Sequence, residues 1–272
     1  MFVDSHCHLS FPELHARLDD IRAEMAKAQV DRALAICTTL EEFERVHAIA
    51  LTHDNVWASV GVHPDEAGVT EPTQVDLQRR AALPRVVAIG ETGLDYYRLN
   101  GRKVADMHWQ RERFRVHIRA ARATGKPLVI HTRSASADTL AVLREEGGSV
   151  ADGAPGGVFH CFTETLDVAR AAVDLGYFIS FSGILTFRNA DELREVARFV
   201  PLDRCLIETD SPYLAPVPFR GKLNTPALVP WVARQLAEIK GVRVEVVAEA
   251  TSRNFERLFS VPSLAAPKPG NL

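Results

Sequence analysis

The chain has 272 residues, 46% of them hydrophobic and 25% charged, and its formal net charge is −3. That ordinary globular balance excludes a disordered or collagen-like chain, and the slight acidity excludes a generally basic nucleic-acid binder while leaving room for a local cationic patch. A single large core is compatible with this length, because barrels of roughly 250 residues routinely form one domain.

Short apolar runs alternate with longer amphipathic stretches. Run 2–6 precedes a helical stretch at 14–27, run 33–37 precedes 40–53, and run 56–62 precedes a weaker helical stretch at 73–83. Runs 86–91, 128–131, 158–160 and 177–181 precede helical stretches 106–124, 137–146, 166–175 and 191–200. Run 205–208 is followed by helices near 225–239 and 244–259. The runs are rich in Val, Ile, Leu or Phe and carry no charge until their last residues, as parallel strands buried on both faces do. The longer stretches repeat apolar residues every three or four positions, and Gly125, Gly147 and Gly176 stand where helices should stop. Eight such units predict an α/β fold, a (β/α)8 TIM barrel, over residues 1–260. A doubly wound open sheet is the runner-up, but it needs a Gly-rich phosphate loop after an early strand, and none is present. Residues 261–272, with Pro267, Pro269 and Gly270, are expected to form a disordered tail.

No apolar run reaches the roughly 18 residues of a membrane helix, and the start shows no basic segment followed by an apolar one. Cys7, Cys37, Cys161 and Cys205 are scattered, with no Cys-x-x-Cys pair, which suits reduced thiols. A cytoplasmic protein with no membrane attachment and no obligate protein partner is expected.

The polar residues at the strand ends carry the chemistry. In extended chain, residues two apart share a side, so Asp4, His6 and His8 are expected to face one way, and Ser5 and Cys7 the other. Run four ends in Glu91, run five in His131, run six in His160, and run eight in Glu208-Thr209-Asp210, while run three leads to His63. In a barrel all these ends converge on one mouth. His15, His47, His53, His108 and His117 lie in helical stretches and read as ordinary helix residues. Four imidazoles and two carboxylates exceed the needs of one tetrahedral ion. A bridging Glu91 could instead join two divalent ions about 3.5–4 Å apart. Mixed nitrogen and oxygen ligation suits Zn, Mn, Co, Ni or Fe, and Mg where water fills vacant positions. Such a centre stays positive and suits an anionic substrate such as a phosphoester.

At this point the chain resembles the TatD family of metal-dependent hydrolases and deoxyribonucleases, within the amidohydrolase-like barrels. The matching stretches include Phe2-Val3-Asp4-Ser5-His6-Cys7-His8-Leu9, Val60-Gly61-Val62-His63-Pro64, Ala88-Ile89-Gly90-Glu91-Thr92-Gly93-Leu94-Asp95-Tyr96, Gly125-Lys126-Pro127-Leu128-Val129-Ile130-His131-Thr132-Arg133, His160-Cys161-Phe162 and Ile207-Glu208-Thr209-Asp210-Ser211-Pro212-Tyr213-Leu214. The resemblance implies that His6, His8 and Asp210 hold one metal, that His131 and His160 hold the other, and that Glu91 bridges. It places His63 near the scissile phosphate and makes Asp210 the proton acceptor for the attacking water. The implied activity is metal-dependent cleavage of DNA, at 3′ ends or in single strands.

Family members often carry His, Arg and Glu where this chain has Phe219, Leu223 and Thr225, a departure in the outer pocket. Arg98, Arg102, Lys103, Arg133, Arg188, Arg220 and Lys222 follow predicted strand ends and could meet phosphate. His63, Arg133, Arg220 and Asn224 are the candidate substrate contacts, and Tyr96, Tyr97 and Trp109 could stack a base. Two rival readings are a small-substrate lactonase, amidase or phosphatase on the same barrel, and a non-catalytic binding protein. A Glu91 where many amidohydrolases use a carbamylated Lys disfavours the first, and an intact ligand set disfavours the second.

Overall fold

Each of the eight apolar runs contributes a strand to one parallel sheet, and the strands follow one another around it in chain order. They are β1 (Phe2–Cys7), β2 (Val30–Ala35), β3 (Val56–Val60), β4 (Val86–Asp95), β5 (Leu128–Arg133), β6 (Gly157–Phe159), β7 (Phe178–Phe181) and β8 (Cys205–Ile207). The structure, a computed structural model, describes residues 1–99 and 101–262. The last strand meets the first through Asp210 N–His6 O at 3.0 Å and His8 N–Ser211 O at 2.9 Å, so the sheet closes into a barrel.

The helices are α1 (Pro12–His15), α2 (Leu18–Lys27), α3 (Phe43–Thr52), α4 (Gln74–Ala81), α5 (His108–Thr124), α6 (Ser136–Glu145), α7 (Leu166–Asp174), α8 (Asp191–Phe199), α9 (Val229–Lys240) and α10 (Val244–Phe259). The single helix expected at 14–27 is two, because Arg17 leaves helical dihedrals at φ −126° and ψ 23°. Thr73 starts α4 with a capping box, its side chain accepting from Asp76 N while Asp76 accepts from Thr73 N. Gly125 ends α5 in the left-handed conformation, at φ 68°.

Two apolar layers result. The outer one lies between the strands and the helix ring. The inner one fills the barrel with Val3, Leu34, Trp57, Ala88, Val129, Val158, Phe178 and Leu206. Phe255, Leu258 and Phe259 of α10 join that inner layer near the starts of the strands and plug the barrel from below. Val261, expected in the tail, packs into the same plug, and residues 263–272 of that expected tail lie outside the described residues. With its floor filled, the barrel leaves the C-terminal ends of the strands as its working face.

Candidate metal centre

Strict alternation fails in two strands, and both departures serve the mouth. Val3 lines the barrel interior, yet Cys7, four residues on, packs in the outer layer. The pairing of β1 with β2 shifts between Asp4 and Cys7, and the shift turns His6 and His8 toward the mouth. In β4, Ala88 points inward and Ile89 outward, and the register shifts between Ile89 and Thr92. That slip brings Glu91 inward, as an extra residue in a ladder re-aims the side chains beyond it. The Gly90–Glu91 peptide is cis. Strands β5, β6 and β8 keep their alternation, which carries His131, His160 and Glu208 inward after Val129, Val158 and Leu206. Strand β4 also continues past its expected end at Glu91 to Asp95, because Gly93 pairs with His131 and Asp95 with Arg133. Only glycine fits at that crossing: a Cβ on Gly93 would lie 1.9 Å from the His131 carbonyl oxygen, and φ is +130°.

The six expected ligands meet. His6 Nε2 lies 3.3 Å from Glu91 Oε2, 3.3 Å from His8 Nε2 and 3.6 Å from Asp210 Oδ1. His8 Nε2 is 3.3 Å from Asp210 Oδ1. On the other side, Glu91 Oε1 is 2.8 Å from His160 Nε2 and 3.3 Å from His131 Nδ1. The two oxygens of one buried carboxylate thus face two separate groups of ligand atoms. Asp4 is not among them, since its carboxylate accepts from Thr209 N at 2.9 Å and from the Thr209 hydroxyl at 2.5 Å.

The hydrogen bonds assign the ring protons. His131 Nε2 donates to Asp95 Oδ2 at 3.0 Å, and His160 Nδ1 to Glu208 Oε1 at 3.3 Å. Neutral rings so held turn lone pairs, from His131 Nδ1 and His160 Nε2, onto the anionic Glu91 Oε1. Glu91 Oε2 and His160 Nε2 are buried without a hydrogen-bond partner of acceptable geometry. Acceptors packed face to face require extra protons or a cation between them, so the donor set fits a divalent ion. His63 differs. Its Nε2 is 3.3 Å from Glu91 Oε1, close enough to form a ligand trio with Glu91 and His131. However, Asp65 N donates to His63 Nδ1 at 3.0 Å, so the ring proton sits on Nε2 and His63 offers a donor where a ligand needs a lone pair.

The same crowding of acceptors that suits a cation also draws protons onto the rings. Burial opposes the ionised Glu91, but His160, His63 and His6 around it hold its carboxyl well below the usual range. Burial lowers His160 and His131, but Glu91 with Glu208 lifts the first, and Asp95 with Glu91 lifts the second, so both end above the ordinary imidazole value. Burial, with His160 alongside, keeps His6 below it.

Three further residues support the ligands, and two of them, Asp95 and Gln110, escape the strand-end pattern. Glu208 also accepts from Cys161 N at 2.7 Å. Asp95 accepts from Tyr97 N at 2.8 Å while holding His131. Gln110 of α5 donates to Pro64 O at 2.9 Å and accepts from Asp95 N at 3.0 Å, tying the His63 loop to the His131 support. Asp95 reaches His131 and Gln110 reaches Pro64 across long stretches of chain, so local spacing gives no signal for either, whereas Glu208 shows itself as a charge closing an apolar run.

Around the rim, Arg133 and Arg220 are exposed, the first stacked 3.6 Å over the Tyr97 ring and the second 3.7 Å over Phe187. Asn224 does not reach the mouth as a substrate contact. It is 0% exposed, and its amide nitrogen is spent on Thr209 O and Tyr213 O at 2.9 and 2.6 Å, fastening the loop after β8. Tyr96 is also withdrawn, buried with its hydroxyl bonded to Asp138 and Arg111. Trp109 is half-buried beside Arg113.

Residues 3–260 match the family described as TatD related DNase. The chain belongs to that family. The Uncharacterized metal-dependent hydrolase YcfH of Escherichia coli (strain K12) is 52% identical to it, the match covering 95% of this chain and 96% of that protein. The 3′-5′ ssDNA/RNA exonuclease TatD of Cronobacter turicensis is 36% identical over 89% of this chain and 91% of its own length. Among solved structures, YJJV, the TatD homologue from Escherichia coli k12, superposes with a TM-score of 0.87 at 28% identity, covering 96% of this chain and 98% of that one. This TatD-family chain is a metal-dependent hydrolase built on a TIM barrel, with candidate His and Glu clusters at the mouth. No helix among its described residues is long and apolar enough to cross a membrane.

Proposed function

We propose that the chain is a deoxyribonuclease that hydrolyses phosphodiester bonds at 3′ ends or in single strands with a pair of divalent ions, drawn from Mg, Mn, Zn, Co or Ni. The observation that carries this reading is the split of Glu91, whose Oε2 faces His6 and whose Oε1 faces His131 and His160. His6, His8 and Asp210 would hold one ion and His131 and His160 the other, with Glu91 between. Such ions supply positive charge at the phosphoryl oxygens and acidify water.

The chain's own groups do the rest. Asp210, which burial pushes up but His8 and His6 hold below the usual carboxylate range, accepts the proton of the attacking water. His63 directs its Nε2–H at a phosphoryl oxygen, where a donor is worth most as charge develops. Arg133 and Arg220 meet the flanking phosphates as planar forks. Asp95 and Glu208 hold two imidazoles in the tautomers that leave lone pairs facing inward. The name of the Cronobacter turicensis relative, an exonuclease on ssDNA and RNA, supports this choice of substrate.

The test is a panel of single-stranded DNA, a phosphomonoester and a lactone, run on protein stripped by a chelator and reloaded with each metal. DNA cleavage that vanishes with the chelator and returns with metal is the expected result. Asp210→Asn should lower kcat on DNA at least about a hundredfold in protein that still melts cooperatively. Turnover of the lactone or monoester without DNA cleavage would overturn the nuclease reading.

A further inference from the structure

The chain contains 20 aromatic residues, Phe, Trp and Tyr together. Among the described residues, the two exposed ones are Tyr97, at 59%, and Tyr213, at 57%. Both stand at the mouth. Tyr97 follows β4 and lies against Arg133 at the end of β5. Tyr213 follows β8 and meets Phe11, which follows β1, at 6.3 Å edge to face. The strands run in order around the barrel, so the β4/β5 and β8/β1 positions lie opposite each other across the metal centre.

Neither ring hangs on a free loop. Tyr213 N donates to Asp210 O at 3.0 Å, and its own carbonyl accepts from the buried Asn224 amide. Tyr97 N donates to the Asp95 carboxylate that also holds His131. Phe11 stacks on the ring of His8 at 4.6 Å and 20°. Each aromatic is therefore tied through one or two hydrogen bonds or ring contacts to a proposed ligand. A ring that is kept wet yet pinned offers its face to a flat partner at little entropic cost. On the β4/β5 side a guanidinium accompanies the ring, as base and phosphate recognition requires together.

Resting on the nuclease reading and going beyond it, we infer that Tyr97 with Arg133, and Tyr213 with Phe11, are two base-stacking subsites, one on each side of the scissile phosphate. A single-stranded nucleic acid lies across the mouth between them. Two subsites spaced around one buried centre accept unpaired bases, since a paired base has both faces covered by its neighbours. Stacking tolerates any base, so the sites select single-strandedness and not sequence.

The experiment uses the full chain and a fluorescein-labelled oligothymidylate, with its oligouridylate counterpart and an abasic oligomer of equal charge. Dissociation constants are measured by anisotropy in chelator, so that binding is read apart from turnover. Tyr97→Ala and Tyr213→Ala should each weaken binding of both base-bearing oligomers about tenfold. Tyr97→Phe and Tyr213→Phe should restore it, and the abasic oligomer should bind all variants alike. Loss at one ring only, or equal loss for the abasic oligomer, overturns the two-sided assignment. Failure of the unmodified protein to bind any oligomer or to cleave DNA would instead strike the nuclease reading itself.

Discussion

His117 shows how one buried residue of α5 serves a loop that lies outside its own helix. Its Nδ1 donates to Arg113 O at 2.7 Å, and its Nε2 accepts from Val62 N at 3.0 Å, immediately before His63. Both nitrogens are used by a neutral ring, and burial brings its pKa down from 6.5 to about 4, against the Arg113 carbonyl, which favours the protonated ring, and with a smaller push from the Arg113 charge. The unfolded chain therefore takes up the proton first. The contribution to stability is complete above pH 6.5 and declines as acidity increases toward pH 4. The full loss is about 3 kcal/mol. Urea denaturation at intervals between those limits should show this slope, and His117→Gln should flatten it. An equal slope in the variant would remove His117 as its cause.

The element scale shows why strand β4 matters more than its neighbours. It carries Glu91 by its register shift, Gly93 at the crossing with His131, and Asp95 behind that imidazole. Gly93→Ala should drive a methyl group into the His131 carbonyl, lower Tm by several degrees and reduce metal affinity along with it. Calorimetry and a metal titration on the same preparation check both, and a variant with wild-type values would contradict the crossing. Much of this design is legible in the sequence. Apolar runs that end in His, Glu or Asp announce both the barrel and its mouth, because no core strand ends that way by packing alone. The facing of His6, His8 and Glu91 is not legible. Val3 and Ala88 point inward, and simple alternation from them would turn these three side chains outward. The register shifts that correct this depend on pairing with β2 and β5. The spent amide of Asn224 and the role of Gln110 are hidden for the same reason: each is settled by partners in other elements of the chain.

At the scale of the molecule, a slightly acidic chain concentrates its chemistry at one end of the barrel. The other end is shut by Phe255, Leu258, Phe259 and Val261. Beyond the mouth, Phe219 packs on Trp231 at 5.2 Å, Leu223 is 40% exposed and Thr225 is buried. The meeting of β8 with β1 brings the two ends of the barrel's chain path together, and the residues beside that junction are His6, His8 and Asp210. An ion held by those three would grip both margins of the sheet at once, like a clasp on a bracelet. Folding and metal loading are then linked: Tm should climb with free metal concentration, and the His8 and Asp210 amides should exchange with deuterium far more slowly in the loaded protein. The same atoms proposed to catalyse would be the ones that fasten the ring.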